Sequence, residues 1–432
     1  MNPLSQITHT LLQLNEKSQA ISLLNTFLRH ATNTEQYDLL GSHFYGLKQY
    51  PQAIQCATYL LDNNPNHPSA ALNLAKLYNH TNQPELAIPL LTQDTPDANL
   101  EKVFSYYLMN QKENAFQLLS HILKNNPPSD IKQRALFNLG SYQVDNNQFK
   151  EGIRNFISVG HEIGIWNNPP LQNPWNGEII PDATIAVIAE GGIGGEILNV
   201  RFLHHIKQLG MNPVWVTQRK GIVELFRGNG IEVAMDIPSN AMTCYSFFLP
   251  ILLDLDVDEL DIGTYLKPKE KYLEKWRGIL PVGKKLALRW SGNPAYEHDL
   301  YRSLSLDLYL AGVDYQDYKL ISVQKDNDLV VDDRVLDVSK WLDDLDDLLA
   351  CLSLCDGLIS SCTSVAHISA AAGLNTLVFV PVAAYYCWLG SGNHWYGNVD
   401  VVRQEERGVW NVAGKINNFV DRILLEELSN GK

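Results

Sequence analysis

Long apolar runs are missing from these 432 residues, and no window approaches the roughly 18 uninterrupted apolar positions that span a bilayer. The first residues, Met1 to Gln6, show neither the basic stretch nor the apolar stretch of a secretion signal. No membrane span and a cytoplasmic location are therefore expected. Cysteine is sparse: Cys56, Cys244, Cys351, Cys355, Cys362 and Cys387 are all there is. A disulfide framework is not expected in a long chain without a leader. Cys351, Cys355 and Cys362 with His367 can be drawn as a zinc set, but paired C-x-x-C knuckles are absent. The apolar stretch Leu345 to Leu354 instead suits cysteine packed as a small hydrophobe. Neither a metal nor a cofactor is expected. Positive charge is also scarce, 34 Lys+Arg against 48 Asp+Glu for a net −14. The basic-leaning stretch from Lys267 to Lys285 is diluted by acidic residues, so charge gives no support for nucleic acid as a partner.

What is present is apolar content, 45% of residues against 19% charged, which is that of a globular chain. Its length predicts roughly two to three domains. The first 165 residues repeat. One block has Leu40-Gly41, Phe44, Ala53, Ala57 and Pro65; the next has Leu74-Ala75, Tyr78, Ala87 and Leu91; a later one has Leu139-Gly140, Gln143, Gly152 and Phe156. In each, two small residues lie twelve positions apart (41→53, 75→87, 140→152). That spacing resembles the tetratricopeptide repeat, a helix–turn–helix of roughly 34 residues. Small residues let two helices approach closely at their crossing. Weaker units surround Ala20 with Leu24 and Phe27, and Ala115 with Leu119 and Pro127, giving about five in all. Such arrays usually bind peptide or protein on a concave face, for which Tyr37, Tyr45, Asn73, Asn79 and Asn138 are candidates. The alternative is an array that only braces the rest of the chain or makes it a homodimer.

Pro and Asn crowd residues 166–177, which marks a boundary. A strand-length apolar run, Thr184 to Ala189, follows, then Glu190-Gly-Gly-Ile-Gly-Gly-Glu196, then a helical pattern from Ile197 to Leu209. Strand, glycine turn and helix open a Rossmann-like half. The glycines let backbone N–H groups approach an anion or sugar closely, and many α/β folds need glycine there for packing alone. Further strands are read at 212–217 and 230–235. A second half begins at Lys285 to Trp290, with strands at 319–323, 357–360 and 376–380 and helices at 342–354 and 364–372. At Thr363-Ser364 a strand runs into a helix whose N–H groups, hydroxyls and dipole suit a diphosphate, with His367 one turn on; an ordinary cap and a packed histidine are the competing reading. Asp343-Asp344 and Asp346-Asp347 read as the solvated first turn of a helix.

Taken together, residues 184–413 resemble the heptosyltransferase-like GT-B domain of proteins that also carry tetratricopeptide repeats. The resemblance rests on Glu190-Gly-Gly-Ile-Gly194 with Arg201-Phe202, Trp290-Ser-Gly-Asn-Pro294, Arg302-Ser303, Gln324-Lys325 and Thr363-Ser-Val-Ala-His367 with Gly373. It continues in Trp388, Trp395-Tyr396, Arg403-Gln404 and Trp410. It implies an α plus α/β chain: a tetratricopeptide-like α-solenoid (1–165), a linker (166–182), and a GT-B domain of two Rossmann-like halves. The first half, 183–282, would face the acceptor, and the second, 283–432, the nucleotide-sugar. The implied activity is an inverting, metal-independent glycosyl transfer from a nucleotide-sugar, most simply to a protein or peptide recruited by the repeats. The alternatives are a glycan, glycolipid or modified nucleobase as acceptor, or an inactive sugar-nucleotide sensor or scaffold. By the same resemblance Ser291, Gly292, Asn293, Gln324, Lys325, Thr363 and Ser364 would hold the donor, Arg302 would neutralise its diphosphate, and His367 would lie beside it. Gly192, Gly194 and Gly195 would form the acceptor-side loop. Two positions depart from the family, Gly195 and Cys362, where Asp is usual. An inverting transfer needs a carboxylate within reach of the nucleophile, which leaves Glu196 or Glu190 as the catalytic candidates.

Overall fold

A computed structural model of the chain describes residues 3–14, 16–65, 67, 69–166, 168–294, 296, 299–325, 332–390 and 394–429. It divides into two units, Met1–Ile131 and Lys132–Lys432. Among the described residues no helix is long and apolar enough to cross a membrane.

The first unit is helical: α1 (Pro3–Gln13), α2 (Lys17–His30), α3 (Thr34–Gly46), α4 (Tyr50–Asn63), α5 (Ala70–His80), α6 (Pro84–Ala87), α7 (Pro96–Leu108) and α8 (Lys112–Lys124). Successive helices pair as hairpins, and each hairpin packs on the next through α2 on α3, α4 on α5 and α5 on α7. Asn33 caps α3 by accepting from Gln36 N at 3.0 Å, and Thr95 caps α7. The turns within two hairpins place Lys48 and Asn82 at φ 59° and 60°, 34 positions apart (82 minus 48). Ala53, Ala75 and Ala87 are buried, and a Cβ on Gly41 would lie 3.2 Å from the Cys56 Cβ. Small residues thus sit where the helices touch. Asn79, expected in a groove, is instead fully buried, its amide donating to Glu101 Oε1 at 2.6 Å and Ser105 Oγ at 2.9 Å. A polar residue at this spacing stitches α5 to α7 rather than facing a ligand.

The second unit opens with another hairpin, α9 (Ser129–Asp145) and α10 (Phe149–Glu162). Here the close approach is tightest: a Cβ on Gly140 would come 2.5 Å from Phe156 N, and one on Gly152 2.6 Å from Val144 N. The sequence groups this hairpin with the repeats before it. Its apolar face, Val144, Phe149, Ile153 and Ile157, packs instead into one core with Trp175, Ile185, Trp388 and Trp395. The Pro-rich segment that follows is pinned along a sheet edge, with Trp175 N donating to Thr243 O and Thr243 N to Asn173 O.

Two parallel sheets follow. The first contains β1 (Thr184–Ile188), α11 (Ile193–Val200), α12 (Leu203–Gln208), β2 (Asn212–Val216), α13 (Lys220–Gly228), β3 (Val233–Ala234), β4 (Met242–Tyr245) and α14 (Leu249–Leu252). After α15 (Glu270–Arg277) come β5 (Lys285–Arg289), α16 (Asp299–Arg302), α17 (Leu306–Leu310), β6 (Lys319–Ser322), β7 (Val335–Asp337) and α18 (Leu345–Ser353). The chain ends with β8 (Gly357–Ser361), α19 (Ser364–Ala371), β9 (Thr376–Val380), β10 (Val399–Arg403) and α20 (Ala413–Ser429). Strand order is β3-β2-β1-β4 in one sheet and β7-β6-β5-β8-β9-β10 in the other. Each sheet therefore reverses direction beside its first strand, and at such switch points the loops after the strands diverge and leave a crevice. Two Rossmann-like halves of this kind are the GT-B arrangement. Strands β4, β7 and β10 escape a reading based on apolar runs because they are short or carry polar residues.

The acidic run corrects one expectation. Only Asp343 is solvated: Asp344 caps α18 by accepting from Asp347 N at 2.8 Å. Asp346 and Asp347 are buried and meet Lys269 and Lys275 of the crossover segment, the stretch between β4 and β5 that joins the two sheets, at 2.7 and 2.8 Å. Buried carboxylates need such partners, so this run fastens α15 to α18.

Overpacking the α9–α10 crossing gives a direct check. Gly140→Val should destabilise the second unit by about 2 kcal/mol or more, seen as a lower denaturant midpoint by circular dichroism. An unchanged midpoint would contradict the close backbone approach.

Candidate active site

The two switch points face each other through α11 and α19, the helices that follow β1 and β8. A Cβ on Gly194 would lie 2.9 Å from His367 Cδ2 and 3.4 Å from Ser364 Cα. Glycine is required there because any side chain would strike the second half. No Cβ contact within 4 Å awaits Gly192, and one on Gly195 would be 3.3 Å from Glu190 O.

On the second half, the loop after β5 is shaped by Asp299 and Arg302. Arg302 Nε donates to Asp299 Oδ1 at 2.9 Å, and Arg302 Nη1 donates to Cys362 O at 2.9 Å. Gly292 lies against this pair, since a Cβ there would come 2.5 Å from Arg302 Nη2. Gly292 N donates to Ser303 Oγ, which donates in turn to Asp299 Oδ2. Ser291 is bound to buried Gln324, whose Nε2 donates to Ser291 Oγ at 2.7 Å. Exposed Lys325 donates to Leu342 O, and Asn293 is exposed on the same loop as Ser291. Ser291, Gly292, Arg302 and Gln324 are thus one connected set, joined by Arg302 to the residue before Thr363. Asp299 is the member that the sequence reading missed; its i,i+3 spacing to Arg302 was the available signal.

Thr363 is the N-cap of α19 but its side chain makes no cap hydrogen bond. Its Oγ1 is buried and has no partner among the described residues. The first turn of any helix leaves its N–H groups without intrahelical acceptors, and Ser364 beside it is partly exposed. A buried hydroxyl without a partner costs about 1–3 kcal/mol, so this N-terminus is suited to an acceptor-rich group from outside the protein. His367, one turn on, stacks on Trp388 with centroids 4.9 Å apart, and its Nδ1 is 3.0 Å from the Tyr396 hydroxyl. Burial, aided by the nearby Arg201 charge, pushes its pKa down to about 3. The imidazole is therefore neutral.

The two glutamates are held differently from the rest. Glu190 is buried, with Oε2 accepting from Phe247 N at 2.9 Å and Oε1 2.9 Å from His161 Nε2; Asn168 Nδ2 also donates to Oε1. Glu196 is fully buried, accepting from Trp215 Nε1 at 3.0 Å and paired with Arg219. Both carboxylates are engaged within the second unit by partners away from α19. The glycine turn thus places Gly194 at the cleft and anchors itself through the glutamates at its two ends. Among the described residues no cluster of three or more His, Cys, Asp and Glu is placed to hold a metal ion.

The sign of the His367 effect is fixed by its direction. The unfolded chain takes up a proton near pH 6.5 that the folded site refuses down to about 3. Stability is unaffected above pH 6.5 and falls as pH drops below it, by about 2 kcal/mol at pH 5 at 1.36 kcal/mol per unit. His367→Gln should therefore flatten the decline in melting temperature between pH 7 and pH 5. Parallel curves for parent and variant would show that His367 does not resist protonation.

No protein-family model matches the sequence, and a search of curated proteins finds no match. Among solved structures, the chain is similar to the family 9 glycosyl transferase of Veillonella parvula (TM-score 0.41, 10% identity, 57% of this chain and 96% of that one). It is also similar to a mutant of the Thermobaculum terrenum O-GlcNAc transferase (TM-score 0.33, 11% identity, 92% of this chain and 94% of that one). A third similarity is to the ADP-heptose LPS heptosyltransferase II of Escherichia coli (TM-score 0.35, 10% identity, 56% of this chain and 99% of that one).

Proposed function

We propose that the chain is a glycosyltransferase whose nucleotide-sugar donor places its diphosphate at the N-terminus of α19. The observation that carries this reading is the buried, unpartnered Thr363 Oγ1 at that N-terminus, with Arg302 bound to the preceding Cys362 carbonyl. As the sugar–phosphate bond breaks, negative charge grows on the departing diphosphate. The helix dipole, the Thr363 and Ser364 hydroxyls and the Arg302 guanidinium would all oppose that charge from fixed positions. Neutral His367 would contribute a hydrogen bond rather than a charge. Ser291, Asn293, Gln324 and Lys325 would complete the donor side, and Gly192, Gly194 and Gly195 the acceptor side. The acceptor in this reading is a protein or peptide held by the helical repeats.

A second reading, a nucleotide-sugar sensor or scaffold without turnover, is favoured by one observation: both glutamates of the glycine turn already have internal partners. An acceptor that needs little deprotonation would reconcile that observation with transfer.

Thermal stabilisation by UDP, GDP, ADP, CMP and their common sugars tests the donor site. Saturation at about 100 Kd should add about 2.7 kcal/mol, and Arg302→Ala should abolish the shift. No shift with any nucleotide would remove the basis of the proposal. Turnover of any acceptor by the parent excludes the sensor reading, and Glu196→Gln then tests the base. Turnover lost at unchanged nucleotide affinity would identify a base, whereas lower stability with turnover intact would identify an internal tie.

A further inference from the structure

The last hairpin, α9–α10, reaches the site at two places, and one of them gives a role to residues that the proposed chemistry leaves unused. At the C-terminal end of α9, Asp145 has a side chain only 2% exposed. Its Oδ1 accepts from Gly390 N at 3.1 Å and from Arg403 Nη1. Arg403, at the end of β10, turns its other nitrogen, Nη2, to the Trp388 carbonyl at 2.5 Å. Trp388 in turn stacks on His367, with an interplanar angle of 23°. The backbone beside this pair is also fitted to the hairpin: Gly390 has φ +95°, and a Cβ there would lie 3.6 Å from Val144 O. The chain of contacts thus runs from a helix end through a fork of two hydrogen bonds to the backbone of the residue whose ring lies over His367. At the far end of α10, His161 independently meets Glu190 at the start of the glycine turn.

We propose that Asp145 is a positioning residue for the α19 site, acting through Arg403 on Trp388 and so on His367. A guanidinium can hold two acceptors at once in a fixed geometry. Removing the Asp145 charge frees Arg403 to rotate, and the Trp388 backbone, from which the ring over His367 is carried, loses one of its ties. A carboxylate buried this deeply is otherwise unfavourable, and here it serves a loop that packs on the site rather than the hairpin's own crossing. The nucleotide arm of the test rests on the donor-site reading given above; the ring-geometry arm does not.

The test uses the full chain as parent, Asp145→Asn, Asp145→Glu and the control Gln133→Ala. The control removes an exposed bond of the same hairpin, Gln133 Nε2 to Glu162 Oε2 at 3.0 Å, whose two residues make no hydrogen bond to Arg403, Trp388 or His367. Two readouts are taken: the affinity for UDP, GDP, ADP and CDP, and the His367 ring-proton resonance, assigned with His367→Gln and displaced by the ring current of Trp388. The expected result is at least fivefold weaker binding and a moved His367 resonance in Asp145→Asn. Asp145→Glu should recover part of both, and Gln133→Ala should change neither. If the parent binds none of the four nucleotides, the donor reading fails, and the resonance alone decides: movement supports the positioning role, and a fixed resonance overturns it. An unmoved resonance with unchanged affinity also overturns it, as does lost affinity that tracks falling melting temperature without any change at His367. Should Asp145→Asn fail to fold, Arg403→Lys takes its place, keeping the charge but not the two-acceptor fork; the same two readouts then decide.

Discussion

The second unit is organised around one buried cation. The Arg201 guanidinium donates to Leu198 O of its own helix, to Leu260 O at 3.0 Å, to Tyr265 Oη at 3.1 Å and to the Trp395 carbonyl, and it lies 4.1 Å from the centre of the Tyr396 ring. These partners come from the first half, the crossover segment and the second half. None of them is a carboxylate. Burying a bare charge is costly, and carbonyl dipoles with a ring face offset that cost only if all are in place together. The hydroxyl of that Tyr396 reaches His367, where burial first and the Arg201 charge second keep the imidazole neutral.

From that tie the rest follows in order. Holding α11 beside α19 demands glycine at 194, and the crossover segment must run close over the end of α19. Tyr265 N and Leu266 N both donate to Ala371 O there, and a Cβ on Gly373 would meet Thr264 Oγ1 at 2.4 Å. The lysine–aspartate pairs between α15 and α18 fasten the same crossover further along. Each half keeps a parallel sheet of its own, yet the loops at the switch points cannot be placed independently.

Much of this was legible in the residues. Small residues at 140 and 152 marked a helix crossing because a side chain beyond Cβ has no room there, and the structure leaves none. The strand–glycine–helix opening at 184–200 and the strand–helix junction at 357–371 were readable for the same reason, since apolar runs of strand length stop at residues that turn the chain. Roles were harder to read than elements. A carboxylate beside a glycine turn looks the same whether it faces a cleft or a tryptophan N–H, and only the fold brings Trp215 and Arg219 to Glu196. Asp145 carried no local sign at all, because its partner Arg403 is 258 positions away. Short strands such as Met242–Tyr245 were hidden because pairing with β1, rather than their own pattern, makes them strands.

The six thiols have a use of their own. All are buried, and burial pushes Cys56 up to about 12 and Cys362 up to about 11. A thiol reacts as its thiolate, so an alkylating reagent finds almost nothing to attack until some part of the fold opens. Cys56 lies in the first unit and the other five in the second. The native chain therefore carries its own two-channel opening clock, in which the labelling rate at Cys56 times the breathing of the helical hairpins while the remaining cysteines time that of the paired sheets.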